Sequence, residues 1–219
     1  MDSEGKAGKE GKAGPVLLIC GCRKYEKYLH AAIKRMTRPE WEVIGILGGG
    51  IKDANLDEET RILTLPCDDK YETLPFKLYS AYRWIFENRP GLPGIFKTDE
   101  DIMFDLPKLA ATVEANVALP YWGVTLSMCK TGPVPIGRIQ TRFDNTSLRP
   151  THQSAVYSFG AGYWLSAEVL PTICAAGDEY AKSSLEDVCT GYVLNKGGWG
   201  PKKYPIPFAE VPRDKKLLQ

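Results

Sequence analysis

Phe96-Lys97-Thr98-Asp99-Glu100-Asp101-Ile102-Met103-Phe104 is the stretch around which the chain is organised. Three consecutive acids lie between the apolar runs Gly94-Ile95-Phe96 and Ile102-Met103-Phe104. Short apolar runs of this kind read as strands, so the acids fall at a strand end or in the turn between two strands. Like charges packed there repel one another and resist burial. Two environments relieve them: water around an acidic turn, or a hard divalent cation that prefers carboxylate oxygens and bridges them to phosphates.

Working backwards from the acids, the segment Thr73 to Glu87 carries Leu74, Leu78, Ala81, Trp84 and Ile85 at helical spacing and ends at Asn88-Arg89-Pro90-Gly91. Ile62-Leu63-Thr64-Leu65 and Trp41-Glu42-Val43-Ile44-Gly45-Ile46-Leu47 read as strands, the latter closed by three glycines. Tyr25 to Met36 has helical periodicity. Val16-Leu17-Leu18-Ile19-Cys20, an unbroken apolar run before Gly21, has the pattern of a first strand buried on both faces. Alternating strands and helices predict an α/β fold with a mixed, mostly parallel central sheet flanked by helices.

Forwards, a helix is expected from Leu106 to Asn116 and a strand over Tyr121 to Leu126. Lys130 to Pro150 reads as loop or edge hairpin. Tyr157 to Ser166 reads as a strand pattern broken by Gly160 and Gly162, glycines that allow close approach of backbone to a ligand. A helix is expected over Ala167 to Ala176, and another opening at Ser184 as N-cap with Asp187 at its third position. The segment from Gly197 onwards reads as irregular. Residues 1–14 have almost nothing to bury and are expected to form a flexible tail, with residues 15–219 as one domain.

The net charge of +1 gives no electrostatic case for nucleic acid or an anionic membrane. No apolar run approaches the ~20 residues of a membrane span, and no signal-peptide core is present. The six cysteines are scattered mostly singly, which predicts free thiols and a reducing, cytoplasmic setting.

Five blocks resemble, in order, the metal-dependent β-1,3-glycosyltransferases, the galactosyltransferase and Fringe group. They are Ala32 to Thr37, Asp69 to Lys77, Phe96 to Asp101, Tyr157 to Ser166, and Glu186-Asp187-Val188 with Gly191. The resemblance implies a glycosyltransferase-A fold and inverting transfer from a UDP-sugar donor to a hydroxyl of a glycan or glycoprotein. It implies Mn²⁺ or Mg²⁺ bound by Asp101, with Asp99 near the ribose or a metal-bound water and Glu100 between them. Lys34, Arg35, Asp69, Tyr71 and Lys77 would frame the nucleotide, and Gly160, Gly162, Tyr163 and Trp164 would lie beside the donor sugar or acceptor. Asp187 would be the base, or Glu186 with Asp187 orienting it. Spacing by itself allows Asp187 a purely helix-capping role. The family's late metal-binding His has no counterpart after Asp187; only His30 and His152 occur, and His152 is a candidate ligand. A nucleotide- or carbohydrate-binding module and a metal-dependent nucleotidyltransferase are the rival functions.

Overall fold

The computed structural model describes residues 14–124, 126–128 and 155–211. Residues 1–13 of the expected N-terminal tail, the segment 130–150 and His152 lie outside the described residues. The elements run β1 (Val16–Cys20), α1 (Glu26–Met36), β2 (Glu42–Gly48), β3 (Asn55–Asp57), β4 (Ile62–Leu65), α2 (Leu74–Asn88), β5 (Gly94–Asp99), β6 (Ile102–Phe104), α3 (Leu106–Asn116), β7 (Tyr121–Gly123) and β8 (Leu126–Met128). They continue with β9 (Val156–Ser158), β10 (Gly162–Ser166), α4 (Leu170–Cys174), α5 (Gly177–Lys182), α6 (Glu186–Lys196), β11 (Lys202–Lys203) and β12 (Phe208–Glu210).

Eight strands form one sheet in the order β11-β7-β10-β5-β1-β2-β4-β3. The four central strands β5, β1, β2 and β4 run parallel. β10 is antiparallel to both β5 and β7, and β3 to β4. The α/β architecture with a mostly parallel sheet is therefore the one expected.

Alternation along β1 divides the core. Val16, Leu18 and Cys20 face a cluster that includes Leu78, Ala81, Tyr82 and Ile85 of α2, Leu170 and Ile173 of α4, and Cys189 and Leu194 of α6. Leu17 and Ile19 face Leu29, Ala32, Ile33 and Met36 of α1 and Leu109 and Val113 of α3. A strand covered on both faces must be apolar at every position, which is why β1 reads as a continuous run. Asp105 caps α3 by accepting from the Lys108 amide at 3.2 Å, as an aspartate at the N-cap does.

Chain order and sheet order part company at β1. β2 and β4 lie on one side of it and β5 on the other. The crevice beyond the carboxyl ends of strands at such a reversal is the usual ligand position in open α/β sheets. Here β1 and β5 end side by side, with Cys20 in register with Asp99. At the opposite end of the sheet, Glu42, the first residue of β2, pairs with Arg89 at 2.9 Å and with Arg61.

Several expectations needed revision. The break in the Tyr157 to Ser166 pattern separates two strands, β9 and β10, which belong to different sheets. Ser184 is not an N-cap: α6 starts at Glu186, its N-cap is Leu185, and no side chain caps it. The Ser183 hydroxyl donates to the Leu185 carbonyl at 3.2 Å, while Asp187 takes the second helical position and finds a tertiary partner. The expected helix from Ala167 is a 3-10 turn (Ala167–Val169) leading into the short α4. The last segment contains β11 and β12, the latter pairing with β6 so that the Val211 amide donates to the Asp101 carbonyl at 2.6 Å.

Candidate active site

The acids fall at the turn that the sequence pattern predicts. Asp99 is the last residue of β5, and Glu100 and Asp101 make the turn into β6. The turn is braced from two sides. The Glu100 amide donates to the Cys20 carbonyl at 3.1 Å, tying it to the end of β1. Arg35 of α1 donates to the Glu100 carbonyl at 3.4 Å and the Ile102 carbonyl at 3.2 Å. Arg35 thus reaches the backbone of the acid turn, whereas its neighbour Lys34 is exposed on α1. Glu100 itself is buried, and Asp99 and Asp101 are partly exposed.

Behind the turn lies the most connected side chain of the site, Lys97, which is fully buried. Its ammonium lies 2.9 Å from Asp99 Oδ1, 2.6 Å from Glu186 Oε1 and 2.8 Å from the Gly160 carbonyl. Burial alone would favour neutral lysine, but Asp99 and Glu186 outweigh it and hold the ammonium well above its ordinary range. Glu186 uses its other oxygen to accept from the Tyr163 hydroxyl at 2.7 Å, and Tyr163 in turn lies 2.7 Å from the Tyr82 hydroxyl. Both oxygens of Glu186 are therefore engaged inside the protein. Burial pushes its carboxyl up, and Lys97 pulls it back.

Asp187 is placed differently. It is half-buried, and its Oδ2 accepts from the Gly160 amide at 3.1 Å while Oδ1 accepts from the Val188 amide at 2.8 Å. Each carboxylate oxygen carries two lone pairs, so these bonds orient the group and leave acceptor capacity. Burial raises its pKa above the ordinary aspartate value of 3.8, against the opposing pull of Lys97 and the two amides. A carboxylate so shifted is a better proton acceptor near neutrality than a solvated one. Tyr71 belongs to the same neighbourhood: burial, then the charges of Asp187, Glu186 and Asp99, push its phenol up to about 12.

A second polar node lies at the ends of β1 and β2. Asp69 Oδ1 accepts from Lys77 Nζ at 2.7 Å and from the Gly48 amide at 2.9 Å, and Oδ2 accepts from the Arg23 amide. Lys77, almost wholly buried on α2, also donates to the Gly21 carbonyl at 2.6 Å. Asp69 and Lys77 thus shape the loops after β1 and β2 through the backbone.

The aromatic and glycine positions occupy two kinds of place. Gly160 is in the site: a Cβ there would stand 2.9 Å from Glu186 Oε1 and 3.5 Å from Asp187 Oδ2. Gly162 is required by packing, since a Cβ would meet the rings of Phe96 and Phe104 at 2.9 Å. Tyr163 and Trp164 are fully buried. Tyr163 supports Glu186, and Trp164 stacks on Trp122 at 6.3 Å on the other face of the sheet. Their expected position against a sugar is not the one they take.

Among the described residues no group of three metal-ligating side chains is assembled. Asp99 and Asp101 nevertheless have the right chemistry for Mg²⁺ or Mn²⁺, which are commonly held by one or two carboxylates with the remaining positions filled by substrate phosphates and water. These two carboxylates suit part of such a coordination shell and do not amount to a cage.

Residues 43–204, from β2 to just past β11, match the family model described as galactosyltransferase. The chain belongs to the galactosyltransferase family. The matched span contains Asp69, Lys77, Lys97, the acid turn, Gly160 and the Glu186-Asp187 pair. Among curated proteins, human beta-1,3-galactosyltransferase 4 is 25% identical over 169 residues, which cover 64% of this chain and 44% of that protein. This galactosyltransferase-family chain therefore spans less than half the length of that relative. The crystal structure of Rv0371C in complex with manganese, from Mycobacterium tuberculosis H37Rv, aligns over 95% of this chain and 96% of that one, with a TM-score of 0.47 and 11% identity.

Within this galactosyltransferase-family chain, Lys97 is the residue that sequence reasoning included in the acid block, Phe96 to Asp101, without giving it a role. The signal was available. A lysine inside an otherwise apolar buried strand has to find partners, because an unpaired buried charge is prohibitively costly.

Proposed function

We propose that this chain transfers a sugar, with inversion, from a UDP-sugar to a hydroxyl group of a glycan or glycoprotein acceptor. The observation that carries the proposal is the pairing of two carboxylate centres across one buried ammonium. Asp99, at the start of the acid turn, and Glu186, next to Asp187, both contact Lys97, which stands two residues before the end of β5.

In this reading the acid turn faces the donor diphosphate. Asp99 and Asp101 would hold the divalent cation, which, when bound, supplies Lewis-acid neutralisation of the charge left on the departing nucleotide. The Asp69–Lys77 node shapes the nucleotide pocket, and Tyr71 closes it towards Asp187. Asp187, held by the Gly160 and Val188 amides, accepts the proton of the acceptor hydroxyl as that oxygen bonds to the anomeric carbon. The bond from the anomeric carbon to the diphosphate oxygen breaks on the opposite side, which inverts the configuration. Glu186, buried and ion-paired to Lys97, stabilises this arrangement, and the more exposed Asp187 is the base.

The test is Asp187→Asn, assayed with a panel of UDP-sugars and Mn²⁺ beside calorimetric titration of UDP. The variant is expected to bind nucleotide as the wild type does and to lose transfer. Wild-type turnover in the variant would remove Asp187 from the chemistry. Nucleotide binding by a wild-type chain that transfers to no acceptor would point to a binding module.

A further inference from the structure

An ammonium has three hydrogens, and Lys97 is surrounded by three oxygen partners from three separate segments. Asp99 belongs to the strand end that opens the acid turn, Gly160 to the turn before β10, and Glu186 to the first turn of α6. With its donors filled and no exposed surface, Lys97 has nothing to offer a phosphate or a sugar. Its action is confined to the protein.

The Gly160 residue shows where that action is directed. Its carbonyl accepts from Lys97 at 2.8 Å, and its amide donates to Asp187 at 3.1 Å. One residue is thus clamped from both sides, by the lysine and by the aspartate. The clamp is tight, since even a methyl group on Gly160 would press on Glu186 at 2.9 Å.

We infer that Lys97 is a positioning residue: its ammonium fixes the separation between Asp99 and the Gly160–Asp187 corner, so that the two halves of the site face a substrate at one set distance. The inference rests on the transfer reading given above. A role in stability alone is a poor explanation. Exchanging a buried ion pair for apolar groups of similar volume is often neutral or stabilising. Positioning, in contrast, is sensitive to displacements of an ångström, which can cost about 100-fold in rate.

The test uses Lys97→Met, and Lys97→Met combined with Glu186→Gln, which removes the buried negative charge that the single change would strand. The double variant is expected to remain folded by near-ultraviolet circular dichroism. It should bind UDP with Mn²⁺ within about threefold of wild type and turn over about 100-fold more slowly. Hydrogen exchange at the Gly160 amide should be about tenfold faster, reporting a loosened bond to Asp187. Unchanged exchange at Gly160, or wild-type turnover in the double variant, would overturn the inference. So would loss of nucleotide binding in parallel with turnover, since Lys97 would then act on the donor half alone. The wild-type chain assayed alongside separates the two ideas: no transfer by wild type, with Gly160 exchange accelerated in the variant, refutes the transfer reading and leaves the clamp in place.

Discussion

Lys77 Nζ donates to Asp69 Oδ1 at 2.7 Å and to the Gly21 carbonyl at 2.6 Å, so one ammonium on α2 joins the loop before that helix to the end of β1. Lys77→Met is expected to destabilise the fold by about 3 kcal/mol, because it strands a largely buried carboxylate. The pH dependence has a definite sign. Burial pushes Asp69 up, but the Lys77 bond and the Arg23 and Gly48 amides outweigh it and hold the carboxyl below 3.8. A depressed carboxyl contributes stability that is present above its unfolded value and is lost as pH falls through the folded one. The stability difference between wild type and Asp69→Asn, measured by urea unfolding, should therefore shrink as pH falls below about 4. A difference that grew on acidification would contradict the assignment.

Arg35 acts on the acid turn through the backbone. Arg35→Leu removes the two carbonyl contacts at Glu100 and Ile102. Weakening of Mn²⁺-dependent UDP binding by about tenfold, roughly 1.4 kcal/mol, is expected in calorimetry. Affinity equal to wild type would show that the turn holds its shape unaided.

The base assignment makes a prediction for rate against pH. Asp187 must be ionised to accept a proton, and burial raises it above the ordinary aspartate value. The acid limb of kcat should thus have its midpoint above 3.8, with rate lost as pH falls through it. A profile flat down to the midpoint of a solvated aspartate would place the base elsewhere.

At Gly191 two effects oppose each other. Alanine is favoured over glycine in a helix by about 1 kcal/mol. A Cβ at Gly191, however, would lie 2.4 Å from Tyr157 Cβ and 2.8 Å from the Val156 carbonyl, so α6 would have to move off β9. Such overpacking costs about 1–3 kcal/mol, and backbone in the contact puts this site at the high end. Gly191→Ala should lower the thermal midpoint. A higher midpoint would mean that β9 yields easily.

Much of the acid turn's setting was legible because its signals are local. The apolar flanks Ile95-Phe96 and Ile102 to Phe104 locate the acid turn, and the periodicity of Leu74 to Ile85 gives α2. Glu186-Asp187 was found as a pair, but the start of its helix was not. Local capping rules favoured Ser184, whereas Asp187 bonds to Gly160, 27 positions away. Tyr163 and Trp164 looked like a ligand surface, since aromatic side chains serve cores and sugars equally well and only packing decides. Lys97 stood in the acid block without a role for the same reason: its meaning lies in Asp99, Gly160 and Glu186 together.

The 89 positions that separate Lys97 from Glu186 also set a schedule. During synthesis the chain emerges with β1, α2 and β5 long before α6. A nascent chain ending before residue 186 holds an ammonium bound for the interior whose Glu186 partner has yet to be made. Closing a contact of such span carries a loop-entropy cost that delays it relative to local structure. The Lys97-centred cluster is thus a late product of folding, and its appearance is a marker that α6 has docked.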